Sequence, residues 1–265
     1  MLNQKNSTFI KFYILVHENI YDQQKKVIDK ICQEHINCNI SYLILKNEFK
    51  NISNAGFIKR TTAIFYRLLL QKLLPDEKKT LYFDCDTLIY KDLNELYNYN
   101  ISDKYYTGSY EGGPLTQYGH NLTDFINSGV LLINLENLRK DNIYEKIYEF
   151  LTKNNNRLAY LDQDAINVVC NKKNGFLPRF YVSSGVCEPN KFKKLNKEKE
   201  KEKNDLKIQN LKEPYVFHFK KYEKPWYGIA KNNKMICFDF FHRFYEYARK
   251  TSYYFEILNN FKVFT

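Results

Sequence analysis

Short apolar, β-prone runs alternate with stretches of helical spacing along this chain, and that alternation leaves few folds open. Residues 9–16 (FIKFYILV) are apolar, rich in aromatic and β-branched side chains, and read as a buried strand. Residues 21–35 set Val27, Ile28 and Ile31 at helical spacing, and residues 39–45 (NISYLIL) alternate as a second strand. A helix with an apolar stripe is expected over residues 60–74, stopped by Pro75. Residues 80–83 form a strand ending on Asp84, residues 129–134 (GVLLIN) form another, and residues 136–152 are mostly helical. A helix runs from Asp162 to Cys170, a short strand covers residues 215–219, and an aromatic-rich helix covers residues 235–249. Such an order implies an α/β fold with a mainly parallel sheet covered on both faces. Ligands of these sheets bind at the carboxyl ends of strands, where the unusual polar residues of this chain fall.

With 265 residues the chain suffices for one α/β domain and a small appendage. The expected layout is a main domain over residues 1–235, carrying a Lys/Glu-rich insertion at about 191–212, and an aromatic and basic helical segment over residues 236–265. A net charge of +11 fits nucleic acid, an anionic membrane surface or phosphate-bearing substrates. Part of that excess lies in residues 191–203 (KFKKLNKEKEKEK), where alternating Lys and Glu read as a solvated face. No nucleic-acid-binding signature accompanies it, so no nucleic acid partner is expected. The six cysteines show neither a CxxC pair nor zinc spacing, which suits reduced thiols and a cytoplasmic protein. No signal peptide is expected from the sequence, and it contains no apolar run of membrane-spanning length. Residues 238–264 mix aromatics with Arg243, Arg249, Lys250 and Lys262. That segment is open to two readings, a helix packed on the domain or a peripheral contact with the inner face of an anionic membrane.

Three clusters carry chemistry. In residues 81–86 (LYFDCD), alternation along a strand puts Asp84 and Asp86 on one side and turns Cys85 to the other, as a core thiol. Two carboxylates at a strand end suit Mg²⁺ or Mn²⁺ with a diphosphate, or simply cap backbone amides in an Asp-rich turn. In residues 218–226 (HFKKYEKPW), His218 suits either a metal site with two carboxylates or a structural hydrogen bond, and Lys224 suits a leaving diphosphate. In residues 161–167 (LDQDAIN), Asp162 suits either a helix N-cap or, with Gln163, a sugar's hydroxyls. Asn127, in residues 125–129 (FINSG), holds a sugar hydroxyl or closes a turn.

Taken in this order, these motifs resemble the family 8 glycosyltransferases, retaining enzymes that include glycogenin and bacterial galactosyl- and glucosyltransferases of lipopolysaccharide synthesis. The resemblance covers residues 9–255 and rests on YRL at 66–68, YFDCD, FINSGVLLINLENLR, LDQDAIN and the spacing from His218 to Lys224, Pro225 and Trp226. It implies the Rossmann-like nucleotide-diphospho-sugar transferase fold of the A type. It further implies Asp84, Asp86 and His218 as ligands of Mn²⁺ or Mg²⁺, with Lys224 on the donor's diphosphate and Arg67 supporting the donor from its helix. Asn127, Asp162, Gln163, Asp164 and Glu111 would surround the transferred sugar, with Asp162 and Gln163 as the catalytic candidates. The implied partners are a UDP-sugar, with galactose or glucose foremost, and a saccharide or glycolipid acceptor of a surface glycan.

The pattern departs from the family in two places. The acidic/Asn-Tyr motif that holds uridine in family members does not precede Phe9, so the chain is expected to lack the first strand-helix unit and to be incomplete at its amino-terminal side. Lys221 stands where members commonly carry glycine, a residue that lets backbone approach phosphates. These departures leave open a catalytically silent or truncated homologue acting as a binding or scaffold protein.

Overall fold

The computed structural model describes residues 4–5, 8–18, 22–33, 37–46, 48–52, 62–111, 125–184, 214–219, 224–225, 238–251 and 254–255. The elements are β1 (Ile10–His17), α1 (Asp22–Gln33), β2 (Cys38–Leu45), a 3-10 helix (Thr62–Leu69) running into α2 (Leu70–Leu73), β3 (Lys79–Phe83), β4 (Thr87–Ile89) and α3 (Asn94–Tyr97). They continue with β5 (Tyr106–Tyr110), β6 (Ile126–Asn134), α4 (Leu135–Lys140), α5 (Ile143–Lys153) and α6 (Asp162–Cys170). The last are β7 (Gly175–Phe176), β8 (Val182–Ser184), β9 (Val216–His218) and α7 (Phe238–Ala248). The chain divides into two units, one of Met1–Tyr82 with Asp92–Phe176, the other of Phe83–Lys91 with Leu177–Thr265. The Lys/Glu-rich insertion, Lys221, Trp226 and the expected boundary at residues 235–236 lie outside the described residues.

In the first unit β1 and β2 pair in parallel, Ile10 opposite Cys38 through His17 opposite Leu45. A second sheet has the order β3-β6-β5-β7. Its β5 runs antiparallel to β6 and parallel to β7, so the sheet is mixed rather than uniformly parallel. Flanked on both edges, β6 buries both faces, which is why Val130, Leu131, Leu132 and Ile133 follow one another without a polar break. The helices α5 and α6 present Ile147, Leu151, Ala165 and Ile166 to the same core as Leu131, Ile133 and Phe65. The second unit holds the three-stranded sheet β4-β9-β8. Its small core joins Tyr90, Phe217 and Phe219 to Phe244 and Tyr247 of α7.

Two expected elements change form. The helix expected over residues 60–74 is a 3-10 helix with one α-helical turn at its end. Its first residues, Thr62, Ile64, Phe65 and Tyr66, are β-branched or aromatic and favour the α form weakly. The helical stretch over residues 136–152 is two helices, broken where Asn142 takes the left-handed conformation at φ 52°. Asparagine tolerates that region because its side chain is short and polar. The Asn134 side chain accepts from Asn137 N at 2.9 Å and caps α4.

Tyr106 is fully buried in β5, and its hydroxyl has no hydrogen-bond partner among the described residues. Burial first, then the nearby Cys170 and Asp162, push the phenol well above its usual range. A sealed hydroxyl without a partner costs the folded state its hydration. Tyr106→Phe is therefore expected to raise stability by about 1 kcal/mol, read as a shift of the urea midpoint at unchanged slope. A loss of stability in that variant would mean that the hydroxyl is bonded after all.

Candidate metal and sugar sites

The second unit assembles the acidic cluster. Strand β4 pairs antiparallel with β9 in a register that sets Thr87 opposite His218. Asp86, directly before Thr87, therefore arrives beside the imidazole, and Phe219 N donates to Asp86 O at 2.9 Å to extend the ladder. Thr87 Oγ1 donates to Asp84 O at 3.0 Å and tightens the turn that separates the two carboxylates. Their convergence thus comes from a turn, not from alternation along a strand, since β3 ends at Phe83. Cys85 corrects the expectation of a core thiol: at the tip of this turn it is exposed, because no strand is left to direct it inward.

Ligand atoms of Asp84, Asp86 and His218 all lie within 4.8 Å of one another. His218 Nε2 is 3.1 Å from Asp86 Oδ1 and 3.8 Å from Asp84 Oδ2, and Lys224 Nζ is 2.8 Å from Asp86 Oδ2. Burial alone would raise the Asp86 carboxyl, but the proximity of His218 and Lys224 outweighs it and holds the group at about 2. Asp86 is therefore an ionised carboxylate at any physiological pH. Among the described residues, Asp86 Oδ1 and His218 Nδ1 have no hydrogen-bond partner. A buried imidazole and two carboxylates whose nitrogen and oxygen atoms converge in this way fit a cation with nitrogen and oxygen ligands.

The first unit assembles an amide and ion-pair cluster. Arg67 and Asp162 are 5% and 1% exposed, and Arg67 Nε lies 3.2 Å from Asp162 Oδ2. The guanidinium also donates from Nη1 to Ser128 O and lies 4.5 Å from the centre of the Tyr82 ring. Asp162 is thus the first residue of α6 and the partner of Arg67, not an N-cap; the cap position falls to Leu161, held at φ 57°. Asp164 Oδ2 accepts from Ala159 N and Tyr160 N, both at 2.8 Å, and braces the loop before that strained residue. Asn127 donates from Nδ2 to Glu111 Oε2 at 2.9 Å and to Gln163 Oε1 at 3.3 Å, while its own oxygen accepts from Gly129 N. Ser128 N donates to Gln163 Oε1 at 3.1 Å. Arg67, Asp162, Gln163, Asn127 and Glu111 are thereby linked within one unit, and Asp84, Asp86, His218 and Lys224 within the other. Sequence reasoning passed over Tyr82 and Asn167, although Tyr82 sits two residues before Asp84 and Asn167 one helical turn after Gln163.

A family model described as glycosyl transferase family 8 matches residues 1–230. General stress protein A of Bacillus subtilis is 29% identical over 185 residues, spanning 65% of this chain and 62% of that protein. A lipopolysaccharide 1,2-glucosyltransferase of Escherichia coli is 26% identical over 179 residues, 63% of this chain and 50% of that protein. The chain spans less than two thirds of the length of the curated relatives it matches. The galactosyltransferase LgtC, solved with donor and acceptor sugar analogues, shares the fold at a TM-score of 0.65 and 16% identity, over 92% of this chain and 96% of that one. Among the described residues no helix is long and apolar enough to cross a membrane.

Proposed function

The chain belongs to glycosyltransferase family 8, and on that premise we propose that it moves a hexose, galactose or glucose, from a UDP-sugar to a saccharide acceptor with retention at the anomeric carbon. The observation that carries this reading is the convergence of Asp84, Asp86 and His218, with Lys224 on Asp86. Two carboxylates and an imidazole would hold Mn²⁺, with Mg²⁺ the second choice, since carboxylates suit both and imidazole favours the softer ion. When bound, the metal supplies Lewis-acid stabilisation of the charge that grows on the leaving diphosphate. Lys224 adds a positive charge for the same oxygens.

The cluster of Asn127, Asp162, Gln163, Asp164 and Glu111 would take the hexose. Its geometry also supports a route on one face of the sugar, without a covalent intermediate. Gln163 Oε1 is taken by two N–H donors, Asp162 is held by Arg67, and Asp164 Oδ2 is held by two backbone amides. Each is a poor nucleophile in that state. In this route the bond from the anomeric carbon to the UDP oxygen breaks as the acceptor hydroxyl attacks from the same side. The hydroxyl proton passes to the departing phosphate oxygen. The acceptor is proposed to be a saccharide or glycolipid of a surface glycan such as lipopolysaccharide, in line with the E. coli relative. Phe244 and Tyr247 of α7 pack on Tyr90, Phe217 and Phe219, so it is the basic residues of this segment that are proposed as a peripheral contact with the cytoplasmic face of the membrane.

Calorimetric titration of UDP with and without Mn²⁺ tests this reading. Binding is expected to require the metal and to vanish in Asp84→Ala/Asp86→Ala. A folded wild type that ignores UDP in the presence of Mn²⁺ would instead favour a silent homologue acting as a scaffold.

A further inference from the structure

Asn167 is 2% exposed on α6, one turn beyond Gln163. Its Oδ1 accepts from Ile126 N at 2.8 Å, and its Nδ2 donates to Ile126 O at 2.9 Å and to Gln163 O at 2.8 Å. A side chain that takes both the N–H and the C=O of one residue does the work of a neighbouring strand, here at the first residue of β6. All of these groups are buried, so the contact fastens the first turn of α6 to the start of β6. That fastening brings Gln163 Oε1 within reach of Ser128 N and Asn127 Nδ2. Two donors meeting one amide oxygen settle which way the amide lies, because the opposite orientation would set its NH₂ against both. Gln163 Nε2, by contrast, has no hydrogen-bond partner among the described residues, on a residue only 8% exposed. With its oxygen satisfied inside the fold, the amide keeps its Nε2 hydrogens for an acceptor that comes from outside it.

We propose that Asn167 is a positioning residue that locks the Gln163 amide with its oxygen turned inward, so that Nε2 donates a hydrogen bond to an oxygen of the transferred sugar. The ligand in this statement rests on the donor reading above; the lock itself does not. Asn127, with both Nδ2 hydrogens and an oxygen lone pair engaged, then serves to hold Glu111 and Gln163 in place.

The experiment follows the Gln163 side-chain amide by nitrogen-proton correlation in the wild type and in Asn167→Ser, with the signal assigned by Gln163→Glu. Two separated, sharp Nε2 proton signals are expected in the unliganded wild type, and their collapse toward unstructured positions in the variant. UDP-glucose and UDP-galactose are expected to move the wild-type pair, and UDP alone is not. The ratio of UDP affinity to UDP-sugar affinity reports the sugar contact apart from overall stability. Asn167→Ser should reduce the sugar's share by about threefold to tenfold, and by less than about twofold when Gln163 is already alanine. Asn167→Asp, which keeps the acceptor for Ile126 N and loses both donors, is measured beside it in case the serine variant unfolds. An unchanged amide signal, or equal losses for UDP and UDP-sugar, would assign Asn167 to stability alone and overturn the proposal. A wild type that binds neither ligand, with the amide signal still collapsing in the variant, would sink the donor assigned to Nε2 and leave the lock standing.

Discussion

Arg67→Met is expected to destabilise the protein by about 3–5 kcal/mol, although it keeps most of the side chain's volume. Arginine and aspartate are both almost wholly buried here, with Arg67 Nε 3.2 Å from Asp162 Oδ2. Removing the guanidinium strands an ionised carboxylate in the core, and also strips Ser128 O of its donor and Tyr82 of the cation over its ring. Asp162→Leu strands the cation instead, at a similar cost. The double variant Arg67→Met/Asp162→Leu removes both charges together and is expected to cost far less than the two single changes combined. Urea unfolding of the four proteins checks this. Losses that simply add would mean that the two groups do not act as a pair.

Much of the fold was legible because periodicity is strong where burial is one-sided. Strands β1 and β2 and helices α1 and α6 emerge within a few residues of their expected places. Strand β5 escaped because its sequence, YTGSY, is neither apolar throughout nor alternating; it is buried by its place between β6 and β7. Thr107, Gly108 and Ser109 fit there because little room is left, an added Cβ on Gly108 lying 2.9 Å from Asn127 O. Strand β4 is three residues long, too short to show a period. Yet β4 decides the acidic cluster, since its pairing with β9 delivers His218 to Asp86. A ladder between strands so far apart in sequence leaves no trace in local spacing, so residue chemistry left the trio as one of two readings and the resemblance to a known family chose it. The structural partners of Asp162 and Asp164 were not legible for a related reason. A carboxylate in the first turn of a helix reads as a cap, and only tertiary packing shows Arg67 beneath one and a strained loop beside the other.

Asp86 is where the second large effect is expected, and the variants around it separate two duties of one carboxylate. Asp86→Ala removes a proposed metal ligand outright, so Mn²⁺-dependent UDP affinity is expected to fall more than about 100-fold, because outer partners of metal ligands alone cost about 10–100-fold. Lys224→Met acts differently. Its ammonium sits 2.8 Å from Asp86 Oδ2 and competes with any metal for that oxygen. Removing it is expected to leave Mn²⁺ affinity unchanged or higher in the absence of nucleotide, while UDP affinity at saturating Mn²⁺ drops. Proton competition at Asp86 does not confuse the comparison near neutral pH, because the carboxyl is held far below it, at about 2 in the wild type. With metal chelated, the stability that this carboxylate contributes is complete above the ordinary aspartate range and is lost only as pH falls through about 2. Manganese titrations followed by UDP titrations on the three proteins distinguish these duties. A Lys224→Met protein that loses metal and nucleotide together would make the lysine a structural prop for Asp86, with no charge left to assign to the diphosphate.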